Sequence, residues 1–398
     1  MPIKILHTSD WHLGKRLFKE ERIDEHQSFL NWIHDYIINN QIDLLIIAGD
    51  IFDVISPPNN IVKMFYEFIY KLGLIPNFKT IIISGNHDSA SLLEAPKQFL
   101  ELHQCYIYTR LDQNFTKMEF IFEKDGISIG LKLLPYFRNY ELINLLKNNP
   151  DLDSDDAAIE SLFKSYFSNW SKPVDKKILV AHHVFGDYNL AGSEQAIYLS
   201  GLDHFPLSWI RPYFDYTALG HIHKTQVLST EPPIIYPGSP IPLRFSESNN
   251  KNIIEIEIVN NELTFQKIKI PNTKELIQIE TNEEYLDIAI EELLESRQNA
   301  DSPGFLEVIV KMDKPKSGLA DKIHKILSKS NLKMISFIPK FSNSTNKNNQ
   351  YEFVNKLNLT DLFKIYYKHK FNNDEMPEQI QKSFQDLLAE VRDENSES

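Results

Sequence analysis

The chain contains a single cysteine, Cys105, among its 398 residues. One cysteine excludes a disulfide framework and any zinc site built from cysteine ligands. The sequence also lacks an apolar run close to the ~20 residues that span a bilayer, and residues 1–7 turn polar too early for a signal peptide. We therefore expect a cytoplasmic protein with no membrane-bound part.

Positive charge is also scarce, since 42 Lys and Arg face 55 Asp and Glu, giving a net charge of −13. This balance argues against a free-standing nucleic-acid binder, because neutralising phosphates requires clustered Lys and Arg. It does not exclude a nuclease, since metals can supply local positive charge and a partner can supply the binding surface. The length predicts two or three domains, and 42% hydrophobic residues suffice for globular cores.

Apolar runs typical of buried strands alternate with helical patterns along the chain. The alternation predicts an α/β domain built in layers. Short β runs dominate from 225 to 269, and we expect them to form a second sheet packed on the first. The strand-like runs that precede polar residues are 3–6, 43–48, 80–83, 178–181 and 216–219.

Five polar clusters follow these strand-like runs, and together they carry oxygen and imidazole ligands for metals. Two divalent metals about 3.5–4 Å apart can grip both the attacking and the leaving oxygen of a phosphoester. The clusters are Asp10-Trp11-His12, Gly49-Asp50-Ile51-Phe52-Asp53, Gly85-Asn86-His87-Asp88, His182 and Gly220-His221-Ile222-His223.

Any one cluster alone is more often a turn or a core histidine than a ligand, but five at successive strand ends predict a metal-dependent phosphoesterase. Imidazole with oxygen and without thiolate favours Mn²⁺, Fe²⁺ or Zn²⁺. Asp50 is the natural bridge, being the only carboxylate at the end of the second buried strand, while His183 stays open as an alternative to His182. The candidate ligands are Asp10, His12, Asp50, Asn86, His182, His221 and His223.

His87 need not bind metal and is a candidate to protonate the leaving oxygen. Asp53 is a candidate to accept a hydrogen bond from the other ring nitrogen of His87 and so fix its tautomer. Both are therefore predicted as catalytic residues.

These motifs resemble the calcineurin-like metallophosphoesterases and, within them, the SbcD family of DNA-repair nucleases. The strings that carry the resemblance are HTSDWHLGK at 7–15, AGDIFDVISPP at 48–58, ALGHIHKTQ at 218–226 and YPGSPIPLRFSE at 236–247. The resemblance implies a two-sheet sandwich flanked by helices. It also implies a 3′→5′ double-strand exonuclease and single-strand or hairpin endonuclease that depends on Mn²⁺ and acts in DNA repair, recombination and replication.

The resemblance further assigns roles to residues. One metal would be held by Asp10, His12, Asp50 and His223, and the other by Asp50, Asn86, His182 and His221, with hydrolysis by a water that both metals activate and His87 assists. It implies a homodimer that joins two SbcC-type coiled-coil ATPases in a heterotetramer acting on double-stranded, hairpin and single-stranded DNA.

Four regions are predicted along the chain. Residues 1–270 form the nuclease domain, 271–341 a small α+β capping domain, 342–356 a polar linker, and 357–398 a helical hairpin with an acidic tail. The apolar stripes of the hairpin would dock on the ATPase partner, or else pack back on the chain itself.

Two other functions share parts of this pattern. A small-molecule phosphoesterase would use every metal ligand, but the capping domain and tethered hairpin would be superfluous for it. A non-catalytic scaffold of the same fold would be expected to have lost at least one ligand.

Overall fold

The computed structural model describes residues 2–112, 118–138, 141–142, 156–186, 189, 205–297, 302–341, 363, 367 and 377. The chain divides into two compact units. The larger comprises residues 1–280, 287–308 and 318–338, and the smaller comprises 281–286, 309–317 and the residues from 339 onward. The predicted linker at 342–356 and the helical hairpin at 357–398 lie outside the described residues, apart from three isolated positions.

The described part of the chain forms fifteen strands and seven α-helices. The strands are β1 Ile3–Thr8, β2 Leu44–Ala48, β3 Lys79–Ile83, β4 Cys105–Tyr108, β5 Glu119–Lys124, β6 Ile127–Leu134, β7 Lys176–Ala181, β8 Tyr216–Leu219, β9 Gln226–Thr230, β10 Pro233–Tyr236, β11 Asn252–Val259, β12 Glu262–Lys269, β13 Glu275–Asn282, β14 Gly304–Met312 and β15 Leu332–Phe341. The helices are α1 Ile23–Asn39, α2 Asn59–Gly73, α3 Ala90–Glu94, α4 Lys97–Leu102, α5 Asp156–Ser168, α6 Leu286–Ser296 and α7 Leu319–Leu327. Among these helices, none has the length and apolar character to cross a membrane.

Two six-stranded mixed sheets make up the main body of the larger unit. The first has the order β12-β11-β1-β2-β3-β4, and the second has the order β5-β6-β7-β8-β10-β9. Strands β1 to β4 run parallel, as do β6, β7, β8 and β10, whereas β11, β12, β5 and β9 pair antiparallel with their neighbours. The predicted two-sheet α/β architecture flanked by helices is thus confirmed.

The expectation that the strands of 225–269 form one second sheet is wrong in part. β9 and β10 do join the second sheet, but β11 pairs with β1 and extends the first. The side chains of Ile254, Ile256 and Ile258 enter the core between the sheets. An alternating apolar pattern identifies a strand but not the neighbour it pairs with, so the pattern alone could not separate these cases.

Alternation along β2 shows how the core is divided. Leu44, Ile46 and Ala48 contribute to the core between the two sheets, while Leu45 and Ile47 contribute to the core beneath the helices. Successive side chains of a strand point to opposite faces, so a central strand covered on both faces is apolar throughout. This burial fixes the carboxyl end of β2, where the polar residues begin.

A third sheet, with the order β13-β14-β15, follows in the chain. Helix α6 comes between its first two strands and helix α7 between its last two. These elements fall where the sequence predicts a small α+β region at 271–341. Its role as a capping domain stays a prediction.

Candidate metal centre

The predicted site residues follow the carboxyl ends of parallel strands. Residues after β1, β2 and β3 of the first sheet meet residues after β7 and β8 of the second. Loops at the carboxyl ends of parallel strands share one edge of a sheet, which is where ligands commonly bind in α/β folds. In this protein the two sheets bring five such loops together.

Four residues of these loops adopt left-handed backbone conformations without being glycine. The φ angles are 54° at Asp10, 43° at His12, 52° at Asp50 and 95° at His221. Such conformations cost on the order of 1–3 kcal/mol each and concentrate at functional sites. Backbone hydrogen bonds hold the first two loops together, because Asp10 N donates to Gly49 O at 3.0 Å and His12 N to Asp50 O at 3.0 Å.

Glycines allow the loops to touch. A Cβ atom added to Gly85 would lie 2.1 Å from Asp50 Oδ1, and one added to Gly220 would lie 1.8 Å from Ala48 O. Any side chain at either position would therefore push the strand ends apart. The glycines that precede the polar residues are needed for this close approach.

One group of side chains comprises Asp10, His12, Asp50 and His223, whose candidate ligand atoms lie within 4.8 Å of one another. The Nε2 atoms of His12 and His223 are 3.1 Å apart, and His12 Nε2 is 3.5 Å from Asp50 Oδ2. Asp10 accepts a hydrogen bond from His221 N at 2.9 Å, which ties the first loop to the last. All four side chains are buried.

A second group comprises Asp50, His182 and His221. His182 Nε2 lies 3.4 Å from Asp50 Oδ2. Asn86 Oδ1 lies 3.2 Å from His182 Nε2 and 3.1 Å from His221 Nδ1. Asp50 therefore belongs to both groups, and all seven candidate ligands predicted from the sequence are brought together.

The ionisation of these groups reflects burial and mutual charge. Burial raises the pKa of Asp10 to about 6. Burial alone would also raise the pKa of Asp50, but the positive charge of His182 holds it well below its usual range. Burial alone would lower the pKa of His182, but the carboxylate of Asp50 raises it to about 9. The two opposite shifts have the same cause, the attraction between the Asp50 carboxylate and the His182 imidazole in a buried site.

The donor set fits two divalent cations. The Nε2 atoms of His12 and His223 face each other at 3.1 Å, so both cannot carry a proton there, whereas the lone pairs of both can bind one cation. Buried carboxylates are normally paired or bound to metal, and oxygen with imidazole suits Mn²⁺, Fe²⁺ or Zn²⁺. Asp50 is common to the two groups, as the bridge predicted from the sequence would be.

His183, the alternative to His182, points elsewhere. Its Nε2 atom bonds to Pro135 O at 3.2 Å, and its ring packs against Phe137 with centroids 4.3 Å apart. Burial lowers the pKa of His183 to about 3. It is a neutral core histidine, so the structure brings His182 and not His183 into the cluster.

His87 and Asp53 are adjacent, but their contact differs from the expected one. His87 Nδ1 bonds to the backbone carbonyl of Asp53 at 2.7 Å rather than to its carboxylate. The carboxylate instead lies 3.3 Å from His12 Nδ1 and 3.0 Å from Lys15 Nζ. Which histidine the Asp53 carboxylate contacts depends on its side-chain rotamer, and the spacing of residues in the sequence does not specify that rotamer.

Sequence reasoning gave no role to Asp88. Its carboxylate accepts hydrogen bonds from the backbone N–H groups of Gly85 at 2.9 Å, Phe52 at 3.0 Å and Ile51 at 3.2 Å. It therefore locks the loop after β3 to the loop after β2. The position of Asp88 at the end of the Gly-Asn-His-Asp cluster was the one feature of the sequence that could have indicated this role.

The family model of the calcineurin-like phosphoesterases matches residues 3–225, more than half of the chain. The chain belongs to this family. The enzyme class predicted from the sequence, a metal-dependent phosphoesterase, is confirmed with it.

Three relatives are named as the SbcD component of the nuclease SbcCD. The Bacillus subtilis protein is 25% identical over 401 residues, which cover 99% of this chain and 100% of that protein. The Escherichia coli K12 protein is 28% identical over 65% of this chain and 66% of that protein, and the Staphylococcus epidermidis protein is 29% identical over 69% and 72%. The predicted resemblance to SbcD is confirmed. The aligned part spans just under two thirds of the E. coli protein's length.

A solved structure, of a dimetal phosphatase from Danio rerio LOC 393393, is also similar. Its TM-score is 0.39 at 9% identity, over 67% of this chain and 98% of that chain.

Proposed function

We propose that this chain is the nuclease component of an SbcCD-type complex. It would act as a 3′→5′ double-strand exonuclease and a single-strand or hairpin endonuclease in DNA repair, recombination and replication. The observation that carries the proposal is the pair of buried ligand groups that share Asp50, in a chain similar over 99% of its length to the SbcD component of an SbcCD nuclease. A cytoplasmic location goes with this function.

Two Mn²⁺ ions are proposed as the cofactors. Asp10, His12, Asp50 and His223 would hold one, and Asp50, Asn86, His182 and His221 the other. When bound, such ions neutralise charge on the phosphoryl group and make water a better nucleophile.

His87 is proposed to protonate the leaving oxygen. A carbonyl oxygen can only accept, so Nδ1 of His87 donates its proton to Asp53 O at 2.7 Å. This contact leaves Nε2 as the atom that takes up and delivers a proton. The backbone N–H of His87 also donates to Asp50 Oδ1 at 2.8 Å, which fixes the His87 backbone beside the proposed bridging carboxylate.

Asp53 is proposed to position two imidazoles instead of reacting itself. Its backbone carbonyl orients His87, and its carboxylate faces Nδ1 of His12. A carboxylate at one ring nitrogen directs the other nitrogen, here Nε2, toward a metal. This role revises the catalytic one that the sequence suggested.

The DNA-binding surface is proposed to come mainly from an SbcC-type ATPase partner. Lys15 and Arg16 follow the first loop, but Lys15 pairs with Asp53 at 3.0 Å and Arg16 with Glu21 at 3.2 Å. The carboxylate beside each of these cations offsets its charge locally, and the net charge of the chain is −13. The capping region at 271–341 would help position DNA, and the helices of 357–398 would bind the partner.

A homodimer is proposed through the exposed apolar face of α2 and α4. Phe65, Phe68 and Ile69 of α2 are buried in the core and are not available. Other large apolar side chains on or next to these two helices are exposed. They are Tyr70 at 54%, Leu74 at 62%, Phe99 at 72% and Leu102 at 78% exposure.

The decisive experiment is digestion of a hairpin-ended duplex labelled at either end, with Mn²⁺, in the presence and absence of the ATPase partner and ATP. We expect the hairpin to open and the duplex to shorten from its 3′ end, and Asp50→Ala to abolish both. Hydrolysis of nucleotides without cleavage of DNA would contradict the proposal and favour a small-molecule phosphoesterase.

A further inference from the structure

Two buried ion pairs hold the loop of residues 237–247, and neither has a role in the proposed function. Arg22 pairs with Glu25 at 2.5 Å and donates to the carbonyl of Pro242 within the loop. Lys251 pairs with Glu247 at 2.5 Å at the end of the loop. All four charged side chains are buried. Buried pairs of this kind rarely add net stability, because desolvating both charges offsets their attraction.

Lys251 joins this loop to the metal centre. Its Nζ atom donates to Glu247 Oε2 at 2.5 Å, to Ser239 Oγ at 2.9 Å and to the backbone carbonyl of His223 at 3.2 Å. The same carbonyl accepts a hydrogen bond from Ser239 N at 3.1 Å. A buried ammonium and a backbone amide therefore both hold the peptide that carries the His223 ring.

Gly238 makes this arrangement possible. Its φ of +81° is in the left-handed region, and a Cβ there would lie 2.6 Å from His223 O. The turn at Gly238 thus brings the loop backbone against the His223 carbonyl. The fixed carbonyl sets the position of the backbone from which the His223 ring extends to His12 Nε2.

We propose that Lys251, neutralised by Glu247, is a positioning residue for the metal ligand His223. This inference rests on the proposed two-metal function. Groups that orient metal ligands affect affinity strongly, and their loss typically weakens metal binding by about 10–100-fold.

The test compares Lys251→Met with the double variant Lys251→Met/Glu247→Leu. The single change removes the cation beside the buried Glu247 carboxylate and is expected to destabilise the protein. The double change removes both charges, so its resistance to urea in the metal-free state should return close to that of the wild type. Mn²⁺ binding to the full chain is measured by isothermal titration calorimetry, and backbone amide exchange is measured without metal.

We expect the double variant to bind one of its two Mn²⁺ ions about 10–100-fold more weakly, while the other ion binds as in the wild type. The amide of Ser239 should also exchange faster in the metal-free double variant. The matched control is Lys132→Met/Glu119→Leu, which removes another buried lysine pair, joined at 2.8 Å, that makes no contact with the candidate ligands in the described structure. This control should leave Mn²⁺ affinity unchanged.

Wild-type Mn²⁺ affinity in the refolded double variant would overturn the positioning role and leave Lys251 a purely structural residue. Failure of the wild type itself to bind two Mn²⁺ ions would overturn the proposed function, and the positioning role with it. The two failures are therefore distinguishable.

Discussion

At the scale of single residues, the Nδ1 atom of His87 is hydrogen-bonded, whereas its Nε2 atom makes no hydrogen bond within the described residues. Its Nδ1 donates to Asp53 O, and its ring lies with its centroid 4.8 Å from that of His12. His12, Asp53 and His87 also form a third group of potential ligand atoms. Removing a proton donor at this position would lower turnover, whereas removing a metal ligand would also lower metal binding.

We predict that His87→Asn lowers turnover on DNA by about 10²–10⁴-fold, the usual contribution of a general acid, while Mn²⁺ stoichiometry stays the same. The loss should be smaller on bis(p-nitrophenyl) phosphate, because its leaving group needs no proton. Turnover is measured by steady-state kinetics and metal content by calorimetry. Loss of a bound ion in His87→Asn would reassign this residue as a ligand.

His7 gives a residue-scale prediction about acid stability. Its Nε2 donates to Leu219 O at 3.1 Å and its Nδ1 accepts from Tyr216 OH at 2.9 Å, so the neutral ring joins the two sheets. Burial lowers the pKa of His7 to about 3. The unfolded chain therefore binds a proton below pH 6.5 that the folded protein rejects, and stability falls as the pH drops from 6.5 toward 3.

This contribution is at most about 1.4 kcal/mol per pH unit. We expect the stability difference between wild type and His7→Gln to shrink by up to about 2 kcal/mol between pH 7.5 and pH 5. Urea unfolding with a chelator present at both pH values measures it. A difference that does not change with pH would show that His7 is not held neutral.

At the scale of elements, the ends of the strands can approach closely because Gly220 has no side chain. Gly220 lies against the junction of β2 and β7, where His182 Nδ1 donates to Ala48 O at 2.7 Å. A Cβ at Gly220 would be 1.8 Å from Ala48 O and 2.8 Å from His182 Nδ1. The hydrogen bond and the added atom cannot both be accommodated.

We therefore predict that Gly220→Ala destabilises the protein by about 1–3 kcal/mol and weakens metal binding. Gly126→Ala is the control, because its φ of +81° strains alanine but nothing lies within 4 Å of the added Cβ. It should cost about 1 kcal/mol and leave metal binding intact. Equal metal affinity in both variants would contradict the close approach. Thermal unfolding and calorimetry provide the two readouts.

The sequence predicted those elements whose pattern is local. The continuous apolar run of β2 identified a buried strand, and the polar residues after it include Asp50, which lies in both groups of candidate ligands. The helices α3 and α4 were missed because five or six residues give too little helical periodicity, and β4 was missed because its half-buried tyrosines interrupt the apolar run that marked the other short strands. The link from Lys251 to His223 spans 28 residues, and the contact of Asp53 with His12 depends on side-chain rotamers. Such contacts follow from packing and not from spacing.

At the scale of the whole molecule, the exposed apolar residues of α2 and α4 make up the surface through which we propose that copies associate. Tyr70 and His103 pack with ring centroids 5.4 Å apart, which joins the end of α2 to the end of α4. Phe99 and Leu102 are the most exposed of the large apolar side chains in the described residues, at 72% and 78%. Adjacent exposed apolar residues of this size mark interaction sites more often than free surface.

We predict that the wild type sediments as a dimer and that Phe99→Glu/Leu102→Glu sediments as a monomer, because a dimer would bury four unpaired carboxylates. Sedimentation velocity at micromolar concentration measures this. Hydrolysis of bis(p-nitrophenyl) phosphate should not change, since neither residue belongs to the metal centre. Val259→Glu, at an apolar position exposed on β11 at 43%, is the control and should remain dimeric. A wild type that is monomeric throughout, or a double variant that stays dimeric, would exclude this face as the dimer interface.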